Sequence, residues 1–201
     1  MTADPRKAKA PQTDYPIDPL LAERWSPRGF HSAKELTEAQ LGTLLEAARW
    51  TPSAGNSQPW RFIVTLRGTP EFAQVADALT GNNQLWAPNA SALIVVCALT
   101  RNADGEPMRW AQYDTGQAAA HLSIQAELLD LSVHQMGGFQ PDAIRADFSL
   151  PDDIEPLAVL AIGHFDHEAE LPDVLAEREA APRSRVPLED IVLQGWPVGA
   201  D

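Results

Sequence analysis

One cysteine, Cys97, stands among the 201 residues, so no disulfide can close within the chain. It lies in the apolar run Leu93–Leu99, where a buried, unreactive thiol is expected. Basic residues are few, 15 Lys and Arg against 28 Asp and Glu, and the formal net charge is -13. That balance argues against nucleic acid or an anionic membrane as the main partner, while leaving room for a local basic pocket around a phosphate. No apolar stretch is long enough to span a bilayer. The segment Met1–Tyr15 is polar and has no apolar h-region, so it does not read as a secretory signal. The glycine fingerprint of a Rossmann dinucleotide site is missing, and so is the G-x-S-x-G elbow of the α/β-hydrolases. A cytoplasmic protein is expected, with a disordered segment over 1–15 and a single domain over 16–201.

Periodicity supplies the elements. A short helix is predicted at Leu20–Arg24. Thr37 and Gln40 form a capping box ahead of Leu41, Leu44, Leu45 and Ala48, giving a helix over 38–50. Arg61–Leu66 reads as a strand. Thr69-Pro70 opens a helix with the stripe Phe72, Val75, Ala76 and Leu79, predicted to end at Gly81. Ala92–Leu99 is a continuous apolar strand, suited to cover on both faces. A long helix is predicted over 110–131, with Tyr113, Gln117, Ala120, Ile124, Leu128 and Leu131 along one side and an alanine-rich middle that permits close helix packing. Short strands follow at Val133–Met136 and Leu157–Gly163, around a short helix after Pro141. The tail 166–201 holds four prolines and weak periodicity, which suggests disorder or an arm that packs on a partner. Helices alternating with strands imply α/β or α+β about a small sheet.

Positive charge is concentrated in two places far apart in sequence. Arg24-Trp25-Ser26-Pro27-Arg28-Gly29-Phe30 carries two guanidiniums and a hydroxyl, and Arg183-Ser184-Arg185 carries two more. Together they would suit a phosphate dianion through bidentate, charge-assisted bonds. Each cluster alone reads as solvated surface arginines. The loop Thr51–Trp60 offers Ser53, Asn56 and Gln58 between stiffening prolines, and alone it reads as an ordinary connection. His164 and His167 have H-x-x-H spacing without a third ligand, so no metal is expected. His121 is expected to be hydrogen-bonded in the interior or an interface, and Asp114 to cap or to pair with an arginine.

R-x-S-x-R-x-F at 24–30, P-S-A-G-N-S-Q-P-W at 52–60, G-G-F at 137–139 and R-x-R-x-P-L-E at 183–189, in that order, resemble the nitroreductase family across about residues 19–193. The resemblance implies an α+β fold with a central, mostly antiparallel sheet flanked by helices, in an intertwined homodimer whose 166–201 arm packs on the partner subunit. It implies FMN as cofactor, NADH or NADPH as co-substrate, and a nitroaromatic, quinone or similar small acceptor. By the same resemblance Arg24, Ser26, Arg183 and Arg185 hold the FMN phosphate and ribityl chain, and Trp25 assists by backbone or stacking. Arg28 sits near the phosphate or the pyrimidine end. Pro52, Ser53, Ala54 and Asn56 reach the flavin edge from the other subunit. Asn83 or Gln84 reads the pyrimidine ring, and the Gly137–Gly138 turn faces flavin N5. Gly137, Gly138 and Arg28 are the candidate catalytic positions, Arg28 as the charge that stabilises reduced flavin. Since donor and acceptor need the same flavin face, ping-pong kinetics are expected.

Two positions depart from the family pattern: Trp86 stands where some members have lysine, and Gly137 where some have glutamate. Trp86 and Trp110 are candidates for lining the substrate pocket, and His134 for touching flavin or substrate. A specialised flavin oxidoreductase of the same fold (dehydrogenase, dehalogenase or flavin-fragmenting enzyme) and a non-catalytic flavin-binding homodimer stand as alternatives.

Overall fold

The computed structural model describes residues 9, 11 and 13–195. Most of the N-terminal segment expected to be disordered, and Pro197 with the last residues of the tail, lie outside the described residues. Seven helices and four strands follow in the order α1 (Pro19–Glu23), α2 (Glu38–Arg49), β1 (Trp60–Leu66), α3 (Pro70–Asp77), β2 (Ala92–Leu99), α4 (Ala111–Leu128), β3 (Ser132–Met136), α5 (Pro141–Asp147), β4 (Ile154–Gly163), α6 (Asp173–Ala180) and α7 (Leu188–Ile191). Short 3-10 turns occupy Ala54–Asn56, Gly81–Leu85 and Ala87–Asn89.

The strands form one sheet in the order β1-β2-β4-β3, and every neighbouring pair is antiparallel. This is the α+β architecture the resemblance implied. β2 is central, and its apolar run is divided by the pleat. Leu93, Val95 and Cys97 face a cluster with Phe72 and Val75 from α3, Leu79 just after it and Ile144 from α5. Ala92, Ile94 and Val96 face Leu44 and Ala48 of α2 and Ala118, Leu122 and Ala126 of α4. Burying each of the larger side chains contributes about 1.5–3 kcal/mol, so this strand organises both layers. Burial pushes the Cys97 thiol up to about 11, which keeps it inert.

α2 starts at the expected capping box: the Thr37 hydroxyl accepts from the Gln40 amide at 3.1 Å and the Gln40 side chain accepts from the Thr37 N–H at 2.9 Å. Such a cap is worth about 1 kcal/mol.

Four boundaries or patterns differ from expectation. α3 ends at Asp77, before Gly81, because the chain turns away to pair: Leu79 bridges Phe139 and the Thr80 N–H donates to the Gly138 carbonyl at 3.0 Å. β4 begins at Ile154, ahead of Leu157. Pro156 cannot donate to the ladder, and a register shift between Val96 and Cys97 absorbs it. The α4 side that packs on the sheet carries small and polar residues (Asp114, Thr115, Ala118, Ala119 and Ser123 among them), while Tyr113, Ala120 and Leu128 face outward. Finally, the tail is not irregular throughout, since it contains α6. Leu175 of α6 is buried in the core of its own subunit, so the tail packs in cis through Ala180. Among the described residues no helix is long and apolar enough to cross a membrane.

Candidate functional site

The two arginine clusters meet. Arg24, Ser26, Arg28, Arg183 and Arg185 line one cleft of about 250 Å³, together with Lys9, Trp25 and Arg178. Arg24 leaves the C-terminus of α1, which Asp18 caps by accepting the Leu20 N–H at 2.9 Å. The loop after it is pinned at its far end. Phe30 bridges Phe165, the Asp166 N–H donates to the Gly29 carbonyl at 3.1 Å, and the His31 N–H donates to His164 at 3.0 Å. Glycine is required at 29, because a Cβ there would lie 2.3 Å from the Asp166 carbonyl oxygen. From the other side, α6 delivers Arg183 and Arg185 at the end of a short connection.

The electrostatics of the cleft favour an anion. Burial lowers the Arg24 pKa and the neighbouring Arg185 lowers it further, with Glu127 of α4 opposing. Burial likewise lowers Arg183, followed by repulsion from Arg24 and Arg185. Arg183 also donates to the Ala22 carbonyl, and to Lys9 O at 3.2 Å. Arg28 differs. Its backbone N–H donates to Glu179 Oε1 at 2.9 Å and its guanidinium lies 3.3 Å from Oε2, so its charge is matched by α6. Lys9 lies 4.5 Å over the Trp25 ring and donates to the carbonyls of Glu179 and Ala181. Glu179, Arg178 and Lys9 were not foreseen. For α6 the signal was present as Leu175 and Glu179 at helical i, i+4 spacing, but it was masked by the surrounding prolines.

A second group forms beside it. Asn83 Nδ2 donates to the Gly138 carbonyl at 3.1 Å. A Cβ at Gly138 would meet Asn83 Nδ2 at 2.9 Å and Thr80 Oγ1 at 3.2 Å, so glycine permits this close approach, whereas one at Gly137 would meet nothing within 4 Å. Of the two amides named for the pyrimidine ring, Asn83 is thus tied to the turn and Gln84 is exposed. Trp86 does not line an open pocket. It is fully buried, stacked on Phe30 at 5.9 Å and 4.4 Å from the His134 ring, because its slot lies among apolar core residues. His134 Nδ1 lies 2.9 Å from the Pro27 carbonyl oxygen. Burial holds its pKa down at about 4, helped by Arg28 and Arg24 and opposed by its bonds to the Pro27 and Ser26 backbone.

The 52–60 loop is elsewhere. Its backbone turns through positive φ at Gly55, Asn56 and Gln58. The Gln58 N–H donates to Ser53 Oγ at 3.0 Å and the Ala54 N–H to the buried Asp114 carboxylate at 3.0 Å. Asp114 therefore holds this loop rather than an arginine. Thr51 bonds His121 across 3.0 Å; His121 itself is exposed, not interior. Pro52, Ala54, Gly55 and Asn56 are exposed, and Ser53 is half-buried. Asp114 marks one end of α4 and Glu127 the other, a separation of about 20 Å at 1.5 Å per residue. Within one chain, then, the loop and the arginine cleft stand at opposite ends of α4. Trp110 is half-exposed at the loop end, 6.4 Å from Tyr113 and under Arg109.

Comparison with known proteins gives a consistent picture. The family model described as "Nitroreductase family" matches residues 21–164. An uncharacterized 15.4 kDa protein of Mycolicibacterium smegmatis is 38% identical over 142 residues, covering 67% of this chain and 95% of its own. The oxygen-insensitive NAD(P)H nitroreductase of Salmonella typhimurium is 28% identical over 214 residues, covering 85% and 95%. A solved structure described as an oxidoreductase containing FMN superposes with a TM-score of 0.88 at 38% identity, covering 99% of this chain and all of that one.

Proposed function

The chain belongs to the nitroreductase family, and on that premise we propose that it is an FMN-dependent oxidoreductase carrying electrons from NADH or NADPH to a nitroaromatic, quinone or similar small acceptor. The observation that carries this is the meeting of the partly desolvated Arg24 and Arg183 with the exposed Arg185 around one cleft, where like charges repel. Such a cluster is relieved by a phosphate, and the donor set fits one. Related proteins point the same way by name, one as containing FMN and another as an NAD(P)H nitroreductase.

Arg24, Ser26, Arg183 and Arg185 would hold the phosphate and the adjoining chain, with Trp25 as the wall between them. Asn83 would present its amide to the pyrimidine edge while its Nδ2 stays on Gly138. In the Gly137–Gly138 turn, Gly137 leaves open space where a flat ring and a substrate can approach backbone. Arg28 would be the cation at the pyrimidine end, held in place and partly neutralised by Glu179. Bound FMN supplies the two-electron chemistry; the protein binds it, orients it and excludes water. Donor and acceptor using one face in turn would give ping-pong kinetics. The single buried thiol suits the reducing conditions of the cytoplasm.

The geometry of α4 supports a homodimer. The outward stripe of this helix, Tyr113, Gln117, Ala120, Ile124 and Leu128, is apolar but for Gln117 and has the small Ala120 at its centre. Two copies packed antiparallel there, about an axis between Ala120 and His121, would set the 52–58 loop of one subunit beside the arginine cleft of the other. An isologous pairing of that kind completes two sites at once. The tail beyond Arg185 would then be free to reach the neighbour, since Arg183 is held by the Ala22 carbonyl of its own chain.

Purified protein should be yellow with one FMN per subunit. Its colour should bleach with NADH or NADPH under anaerobic conditions and return on adding nitrofurazone or menadione. A colourless protein that takes up no FMN would refute the proposal. The buried Trp86 and the bare Gly137 remove a cation and a carboxylate from the family pattern, which favours a second reading, a specialised flavin oxidoreductase. Tight FMN that neither nicotinamide bleaches would select it.

A further inference from the structure

Three rings stand in a row behind the arginine cleft. Phe30 stacks on Trp86 at 5.9 Å with an interplanar angle of 16°, and Trp86 faces His134 at 4.4 Å and 40°. Each ring comes from a different segment. Phe30 closes the arginine loop, Trp86 follows Asn83, and His134 lies in β3 three residues before Gly137. The row ends on a polar contact, His134 Nδ1 to the Pro27 carbonyl at 2.9 Å, between Ser26 and Arg28. A carbonyl only accepts, so Nδ1 carries the proton and donates.

Trp86 is fully buried, and its Nε1 has no hydrogen-bond partner among the described residues. A phenyl ring would have avoided that penalty. The broader indole bridges the gap between Phe30 and the imidazole. A lysine could not occupy this dry slot without burying an unpaired charge, so the departure at position 86 has a structural account.

We propose that His134, backed by Trp86 and Phe30, is a positioning residue for the FMN phosphate. Through the Pro27 carbonyl it fixes Ser26 between Arg24 and Arg28, and through the rings it ties that loop to Asn83 and the glycine turn. The inference rests on the flavin reading above. Residues 24–29 belong to no helix or strand, so their order depends on such anchors. Without this one the loop samples other arrangements, and affinity falls with the fraction of competent protein.

Two amides separate this role from simple packing. In His134→Asn the side-chain N–H falls near the place of Nδ1 and can reach the Pro27 carbonyl; in His134→Gln it extends past it. FMN binding to each apo-protein is followed by quenching of flavin fluorescence, and apo-protein thermal unfolding is recorded alongside. The expected result is FMN dissociation constants within about twofold of wild type for His134→Asn and roughly tenfold weaker for His134→Gln, the scale of a lost anchor on a buried carbonyl. Equal constants for the two amides, whether both retained or both weakened, would overturn the proposal even where both lower the melting temperature. Wild-type protein that takes up no FMN would instead refute the flavin reading, and this inference with it.

Discussion

The two ends of α4 are built on opposite plans. At the Glu127 end, side chains from three distant segments converge, and the result is strongly positive and partly desolvated. At the Asp114 end a single contiguous loop is stiffened by its own backbone and one buried carboxylate, and it presents small neutral groups to the outside. On the proposed reading the first receives an anion. The second is a rigid edge that, among the described residues, nothing closes over. Their difference suggests that each subunit holds two half-sites, matched only across a two-fold axis.

The largest expected effect comes from disarming the positive end. Arg24→Ala with Arg185→Ala should weaken FMN binding by roughly a hundredfold or more, since charge-assisted bonds contribute about 1.5–3 kcal/mol each. The apo-protein should melt no lower, because mutual repulsion is removed with the charges. Stoichiometric flavin retained by this variant, measured by absorbance after dialysis, would break the comparison at its stronger end.

Disarming the other end should act on order rather than on charge. Asp114→Ala strands the Ala54 N–H and should cost about 1–3 kcal/mol in urea unfolding. Faster amide exchange should appear over 53–58, while inorganic phosphate still broadens in its 31P resonance at the arginine end. Equal disturbance at both ends would show that they are not independent.

A pH series sharpens the contrast further. His134 titrates near 4 in the folded chain against 6.5 ordinarily, so between those values the unfolded state binds the extra proton. Stability is therefore fully present above about pH 6.5 and is lost as pH falls towards 4. His134→Asn should flatten that slope in thermal melts, and an unchanged slope would assign it to other groups. The smallest effect separates neighbours. Gly138→Ala must displace the Asn83 amide and should weaken FMN binding a few-fold, whereas Gly137→Ala meets open space and should leave binding near wild type.

Much of this was legible in the sequence, for reasons that differ by element. β2 declared itself by an unbroken apolar run, and α2 by its capping box. The arginine clusters were visible as local excesses in an acidic chain, and their meeting was implied only by the family resemblance, because α6 lies between prolines and its contacts are tertiary. Trp86 was misjudged as a pocket wall. Sequence gives the size of an aromatic but not which side of a loop it turns to, and here Phe30 and His134 hold it inward. Of the stripe expected on one side of α4, Tyr113, Ala120 and Leu128 face outward but Leu131 is buried in the core; with small and polar residues on the opposite side, only packing decides which side meets the sheet.

Subunit complementation tests the central claim most directly. Arg24→Ala/Arg185→Ala chains and Ser53→Ala/Asn56→Ala chains, each poor in FMN as homodimers, are mixed, unfolded, refolded together and assayed for bound flavin. A site shared across the two-fold should restore one intact site in each mixed dimer, with wild-type affinity at that site. No recovery in verified mixed dimers would mean that loop and cleft serve the same subunit, and the account of α4 would be wrong.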